Sequence, residues 1–376
     1  MHFHLAALIG AAVAAAISSP IAAQGAPQTP LVSLTRPIAE LDEPLDRVYS
    51  VAELRDGRVV ATDLMGPSVT LVDFAAGTAV PLARTGGGPN EYRMPERVIA
   101  GAGDTLFVVD IGQRRFLRIA PDGKVAGIIS FPEKAGFGRF RGADRQGRFY
   151  FEGRRLRESH DGPEAAPADS VPIVRWDPKT DRLDTMALLL VSPLAKPTEG
   201  SAGGRTVIMS RPEPFSPQDD WAVAPDGRVV LVRATNYRVE WRLPDGRRGS
   251  GPVIGYEKVR VTQADKDRLL KGGQQAQLSS GAKIAMAPPA DDFRWPAFKP
   301  PFAPSSTLVT PDGKVWVQRS GADGAAPVYD ELDEGGRLVR RIAVAKGSRV
   351  VGFGKGVVYV ARADEDDLMH LQKFAR

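Results

Sequence analysis

The sequence predicts an all-β, six-bladed propeller with four antiparallel strands per blade, and three observations carry that prediction. Tight-turn signals recur at Arg55-Asp56-Gly57, Gly101-Ala102-Gly103, Arg145-Gln146-Gly147, Pro225-Asp226-Gly227, Pro311-Asp312-Gly313 and Gly354-Lys355-Gly356. They lie roughly 45 residues apart, or about twice that where a unit carries an insertion, which is the period of a four-stranded blade. Short alternating apolar runs flank each turn, and two such runs joined by an Asp-Gly-like pair are the strongest short-range hairpin signal. Finally, the sixth unit ends without room for a fourth strand, while the segment 31–41 precedes the first unit unassigned.

The units read through in order. Their second strands are Val59–Asp63, Leu106–Asp110, Phe149–Gly153, Val229–Arg233, Val315–Arg319 and Val358–Arg362. Third strands follow at Val69–Phe74, Arg115–Ala120, Ile173–Asp177, Arg238–Leu243, Val328–Leu332 and Leu368–Phe374. Fourth strands follow in five units, at Ala79–Ala83, Lys124–Phe131, Asp181–Leu190, Arg247–Ile254 and Arg337–Ala345. One domain therefore covers 25–376, with blades near 47–83, 96–131, 139–190, 220–254, 305–345 and 348–376. The segment 31–41 is expected to supply the strand that the sixth blade lacks, since closing the ring removes exposed sheet edges.

The chain opens on a stretch of different character. Residues 1–24 hold no acidic or basic side chain, and Leu5 to Ile17 is almost wholly apolar before the break at Ser18-Ser19-Pro20. That run has the length of a signal-peptide core and is shorter than the roughly 20 residues of a spanning helix. Cleavage is expected near Ala23 or Gln24, which predicts a periplasmic or secreted protein. There is no cysteine, so the domain must be held by its core, and thiolate sites and lipobox anchoring are excluded. The net charge of +5 comes from 50 basic and 45 acidic residues. They are interspersed, which argues against nucleic acid. The chain reads as a monomer.

Connectivity places function on one face. First-to-second and third-to-fourth turns share a face and are all tight. Every long connection is of the other kind: 154–172, 191–219, 255–304 and 320–327. Elaborating one face of a scaffold is how loops carry binding. In the largest insertion, Thr262-Gln263-Ala264-Asp265 reads as an N-cap and first turn of a short helix, Gln263 to Leu270, ended by Gly272-Gly273. Phe293, Trp295, Phe298 and Phe302 follow, and Trp295 and Phe298 are candidates for laying rings on a ligand or, alternatively, for pinning the loop to the disc. The fifth position of the second strands gives Asp63, Asp110, Gly153, Arg233, Arg319 and Arg362. Arg233, Arg319 and Arg362 are candidates for an arc that captures an anionic group, since guanidinium suits bidentate oxyanions. The alternative is pairing with nearby carboxylates, and for Asp63 and Asp110 it is capping of their own loops.

Catalytic constellations are scarce. Past the leader only His160 and His370 remain for a histidine metal site or a Ser-His-Asp triad. Asp364-Glu365-Asp366-Asp367 lacks the ligand spacing of a calcium loop. Gly86-Gly87-Gly88-Pro89 lacks the Lys-Ser or Lys-Thr of a phosphate loop. No cofactor and no metal are expected.

Gly86 to Tyr92 with Pro95, then Leu106-Phe107-Val108-Val109-Asp110, Gln113-Arg114-Arg115 and Pro121-Asp122-Gly123, resembles the connector and strand of NHL-like and TolB-like six-bladed propellers. Pro311 to Val317 resembles the pattern more loosely. The repeats are also distantly similar to propeller lactonases, whose metal is held by Glu and Asn. Asn90 and Asn236 are the two asparagines here, so that set is hard to assemble. The resemblance implies the fold and leaves function open among three classes. These are a binding propeller for a protein, peptide or glycan, a hydrolase or lyase with a carboxylate-held metal, and a structural envelope component.

Overall fold

Each first turn closes on a glycine that the hairpin needs in the left-handed region: Gly57, Gly103, Gly147, Gly227, Gly313 and Gly356 have φ between +63° and +89°. In the computed structural model these turns nucleate six four-stranded antiparallel sheets arranged in a ring. The structure describes residues 29–63, 66–135, 138–154, 169–195, 198–202, 205–209, 211–273 and 293–376. The expected leader with its cleavage site at Ala23 or Gln24, and His160, lie outside them.

Strands A to D of blade 1 are Ser50–Glu53, Val59–Asp63, Ser68–Asp73 and Thr78–Pro81. Those of blade 2 are Pro95–Ala100, Leu106–Asp110, Arg115–Ile119 and Val125–Ser130. Blade 3 has Arg139–Ala143, Phe149–Glu152, Ser170–Asp177 and Arg182–Leu190; blade 4 has Asp220–Val223, Val229–Arg233, Arg238–Arg242 and Arg248–Ser250. Blade 5 has Phe302–Val309, Val315–Arg319, Val328–Leu332 and Leu338–Ala343. Blade 6 has Ser348–Gly354, Val357–Ala363 and Met369–Ala375, plus Ala39–Glu40, which pairs antiparallel with Met369–Ala375.

The N-terminal strand thus closes the ring, with one difference from expectation. Segment 31–41 divides: Leu31–Ser33 adds a parallel fifth strand outside blade 5, and only Ala39–Glu40 completes blade 6. Pro37 lacks an amide N–H and interrupts the ladder between the two pieces. The outer strand of blade 4 is also shorter than expected and stops before Pro252 for the same reason. The helix runs longer, Gln263–Gly273. A hairpin, Thr198–Ala202 with Arg205–Met209, lies in the blade 3–4 connection, where no strand was expected.

The core sits between blades. Second strands such as Val59–Asp63 and Leu106–Asp110 are buried at every residue, as a strand covered on both faces must be. Between blades 2 and 3, Phe107, Phe116, Phe140, Phe149, Phe151 and Trp176 form one aromatic cluster, with Phe116 stacked on Phe149 at 4.2 Å. Tyrosine hydroxyls fasten neighbouring blades. Tyr237 donates to Asp330 at 2.8 Å, Tyr359 donates to Glu53, and Tyr329 accepts from the Val350 amide at 3.0 Å. Burial, with the Asp330 charge added, pushes the Tyr237 phenol well above its ordinary pKa. The Tyr237 and Tyr359 hydroxyls, both raised in pKa, remain donors throughout the neutral range.

Blades 5 and 6 are also tied by a surface ion pair, Arg376 Nη1 to Asp312 Oδ1 at 2.6 Å. The guanidinium beside it holds the Asp312 carboxyl at about 2, below its ordinary 3.8. A depressed carboxylate pKa gives stability that is present above the unfolded value and lost as pH falls through the folded one. Asp312→Asn is therefore expected to cost about 1 kcal/mol at neutral pH, the side chain being half exposed. The difference between variant and parent should shrink from about pH 4 downward and vanish near pH 2 in urea titrations. A pH-independent difference would contradict this assignment.

Candidate functional site

The second-strand residues singled out above are each engaged inside the protein. Asp110 accepts from the amides of Arg93 and Met94 and from Gln113, and Asp63 accepts from the Gly66 amide. Asp63 caps its own loop, whereas Asp110 holds the amides of the connector that leads into blade 2. Arg233 lies 2.6 Å from Asp219 and 3.0 Å from Glu240. Arg319 lies 3.3 Å from Asp330, which is fully buried and also receives Arg341 and Tyr237. Arg362 lies 3.4 Å from Glu40 of the closing strand. With each guanidinium matched by a carboxylate, the three do not stand as an open cationic arc.

The charged residues that gather at the centre come instead from the first, innermost strands. These strands start on the loop-rich face, so their opening residues rim the central channel there. Asp220 of blade 4 accepts from Arg141 of blade 3 at 2.7 Å and from the blade 5 amides of Ser306 and Thr307 at 2.8 and 2.7 Å. Arg141 also reaches Glu152 at 3.3 Å, and Glu152 accepts from the Trp221 indole at 2.8 Å. Burial disfavours the Arg141 charge, but Asp220 and Glu152 outweigh it and hold its pKa above the ordinary value. On the opposite side of the rim, Tyr49 at the entry of blade 1 meets two arginines. Arg97 of blade 2 lies 5.6 Å from its ring centroid and donates to its hydroxyl at 3.3 Å. Arg349 of blade 6 lies 5.7 Å from the same centroid. Bulges interrupt the first ladder in blades 2, 3, 5 and 6 at this level, and such bulges re-aim side chains at strand ends.

Above the rim the insertions meet one another. Thr262 caps the helix through reciprocal bonds with Asp265. Asp265 is buried against Lys299 at 2.6 Å, and Lys299 also donates to Gly321 of the blade 5 loop. Burial raises the Asp265 pKa, but Lys299 and Thr262 hold it below its usual value. The helix is tied to that same loop by Arg268 and Asp323. The Arg294 amide donates to Glu213 in the blade 3–4 connection at 2.8 Å. Trp295 lies against Phe293 and Phe215, at 5.6 and 6.3 Å between centroids, with Lys266 at 5.4 Å. Three separate connections therefore form one cap. Trp295 pins it from within, whereas Phe298 is 37% exposed beneath Lys258 and Arg260.

Other candidates resolve into structure. His370 bonds Asp364, whose other oxygen accepts the Asp366 and Leu368 amides in a tight turn. The glycine-rich connector is closed on itself: Glu91 accepts from the Gly88 amide at 2.6 Å, and a Cβ at Gly86 would meet the Glu91 carboxylate. A shallow cleft of about 570 Å³ beside it has Arg84 and Glu91 in its lining, and these pair with each other at 2.7 Å. Among the described residues, no three His, Asp or Glu side chains converge as a metal would require.

No family model matches the chain, and no curated protein matches it in sequence. Solved structures resemble it at low identity. A member of the DUF4221 family from Bacteroides vulgatus is 10% identical with a TM-score of 0.48, over 91% of this chain and 98% of that one. Regucalcin from Agrobacterium tumefaciens, described as a calcium-binding protein, is 10% identical with a TM-score of 0.43, over 92% and 97%. Virginiamycin B lyase from Staphylococcus aureus is 10% identical with a TM-score of 0.43, over 90% and 98%.

Proposed function

We propose that this chain is an exported, non-catalytic binding propeller of the NHL-like or TolB-like kind that recognises a protein, peptide or glycan partner on its loop-rich face. One observation carries the reading. Three insertions from separate connections are bonded into a single cap over one face, while the turns of the opposite face are tight hairpins. Insertions that merely drifted would have no reason to bond to one another. The carboxylates at the rim support binding over catalysis, because Asp220 and Glu152 are occupied by Arg141, backbone amides and Trp221. No helix among the described residues is long and apolar enough to cross a membrane.

The test uses immobilised protein offered envelope extract and a glycan array, beside a variant with residues 198–209 replaced by a short Gly-Ser link. The parent is expected to retain a partner saturably. The variant should lose about tenfold or more in affinity, corresponding to 1.4 kcal/mol, while melting like the parent. Retention unchanged by trimming would remove the loop-rich face as the site. Bound divalent metal with lactone hydrolysis would replace the reading altogether, and N-terminal sequencing of exported protein should begin next to Ala23 or Gln24.

A further inference from the structure

On one side of the channel rim Arg349 lacks the carboxylate partner that the other arginines of the site have, and its neighbour Arg97 has one where Arg141 has two. Arg349 has no carboxylate within ion-pair distance among the described residues; its donors go to the Val48 and Tyr49 carbonyls. Arg97 has a single carboxylate partner, its sequence neighbour Glu96, at 3.3 Å, and its buried Nε has no acceptor. Asp63 acts on Arg349 only through space, and Arg47 opposes it. Burial leads these influences and pushes the Arg349 guanidinium below its ordinary pKa.

An uncompensated buried cation is costly. Here both guanidinium carbons lie within 5.7 Å of one ring centroid, that of Tyr49. Each guanidinium carries five N–H donors in a planar fork suited to oxyanions. We propose that the channel rim takes an oxyanion, a carboxylate, sulfate or phosphate group of the ligand, between Arg97 and Arg349 beside the Tyr49 hydroxyl. This rests on the binding function above and names the chemistry that the ligand must present. The group accepts from the Arg97 fork and supplies the negative charge that Arg349 lacks. The Arg141–Asp220 side of the rim, already matched, takes no part.

Thermal shift and calorimetric titration with sulfate, inorganic phosphate and citrate test this, with sodium chloride at matched ionic strength as control. The full-length mature protein should show a saturable rise in melting temperature beyond the chloride control. Arg349→Met and Arg97→Met should each weaken that binding about 10- to 100-fold, the range for hydrogen bonds to charged groups. A purely structural arginine would destabilise the ligand-free protein when removed. Arg349→Met is instead expected to melt, ligand-free, at or above the parent temperature, because a buried unmatched charge has gone. Arg349→Lys, which keeps charge but loses the fork, should retain partial affinity. A response equal to that of chloride overturns the proposal, as does one retained in both methionine variants. A response lost instead on changing Lys258 and Arg260 to Ala would do the same by moving the site to the cap. Partner capture without an anion response would defeat this inference alone, leaving the binding reading intact.

Discussion

A chain that starts at Arg47 is expected to lose about 5 kcal/mol or more of stability, much of the 5–15 kcal/mol that a folded domain typically has. The missing residues do two separate jobs. Ala39–Glu40 is the outer strand of blade 6, and around it the Ile38, Leu41 and Leu45 amides donate to Lys373, Leu371 and Met369. Leu41 is 1% exposed in the core shared by blades 6 and 1, and losing a buried leucine costs about 2–5 kcal/mol. The ladder bonds add about 0.5–1.5 kcal/mol each. Without this segment Met369–Ala375 becomes an unpaired edge, and blades 1 and 6 are no longer joined by the continuous chain through an outer strand. Leu31–Ser33 does less, because blade 5 already has four strands. Removing 29–34 alone should therefore cost little. Chemical denaturation of both truncations tests this, and a peptide spanning 29–46 added in trans should restore much of the loss. A chain starting at Arg47 that unfolds at the parent's midpoint would show that the ring does not depend on closure.

The difference between what sequence reveals about the blades and about the rim has a physical origin. Blades are local: a glycine with positive φ and two alternating strands specify a hairpin within about ten residues, so Gly57 through Gly356 announce the ring directly. The rim is assembled from strands far apart in sequence. Its members Ser50, Arg97, Arg141, Asp220, Thr307 and Arg349 share a feature that could have been found, each standing roughly six or seven residues before its blade's first-turn glycine, one short strand's length. Indexing the second strand selected Arg233, Arg319 and Arg362 instead. A second strand has a partner on either side, so its charges meet cross-strand carboxylates such as Asp330 and Glu240. The first strand has a ladder on one side only and faces the channel on the other. Bulges at four of the six blades also shift register there, which defeats simple alternation. The cap was half legible: Thr262 and Asp265 signalled the helix, but the pairing of Lys299 with Asp265 spans the insertion and has no local sign.

Asp220→Ala is expected to be the most destabilising single change at the rim, costing about 3–5 kcal/mol, the range for removing one partner of a buried ion pair. Asp220 is 2% exposed, and one of its oxygens accepts Arg141 while the other accepts the Ser306 and Thr307 amides. Alanine would strand a guanidinium whose side chain is 8% exposed, leaving it Glu152 at 3.3 Å. It would also leave two amides without acceptors where blades 4 and 5 meet. Asp220→Asn keeps an acceptor oxygen and the side-chain shape, so it should cost less than alanine. Arg141→Met removes the cation and leaves Asp220 its two amide donors. Added to Asp220→Ala, it should recover part of the loss, because the stranded charge is then absent. The four proteins form a double-mutant cycle whose coupling should exceed about 1 kcal/mol. Additive losses would mean that Asp220 acts chiefly on the amides, as a brace between blades 4 and 5, and that Arg141 is held by Glu152 alone. The same cycle separates the two sides of the rim, since anion binding at Arg97 and Arg349 should survive in every member that folds.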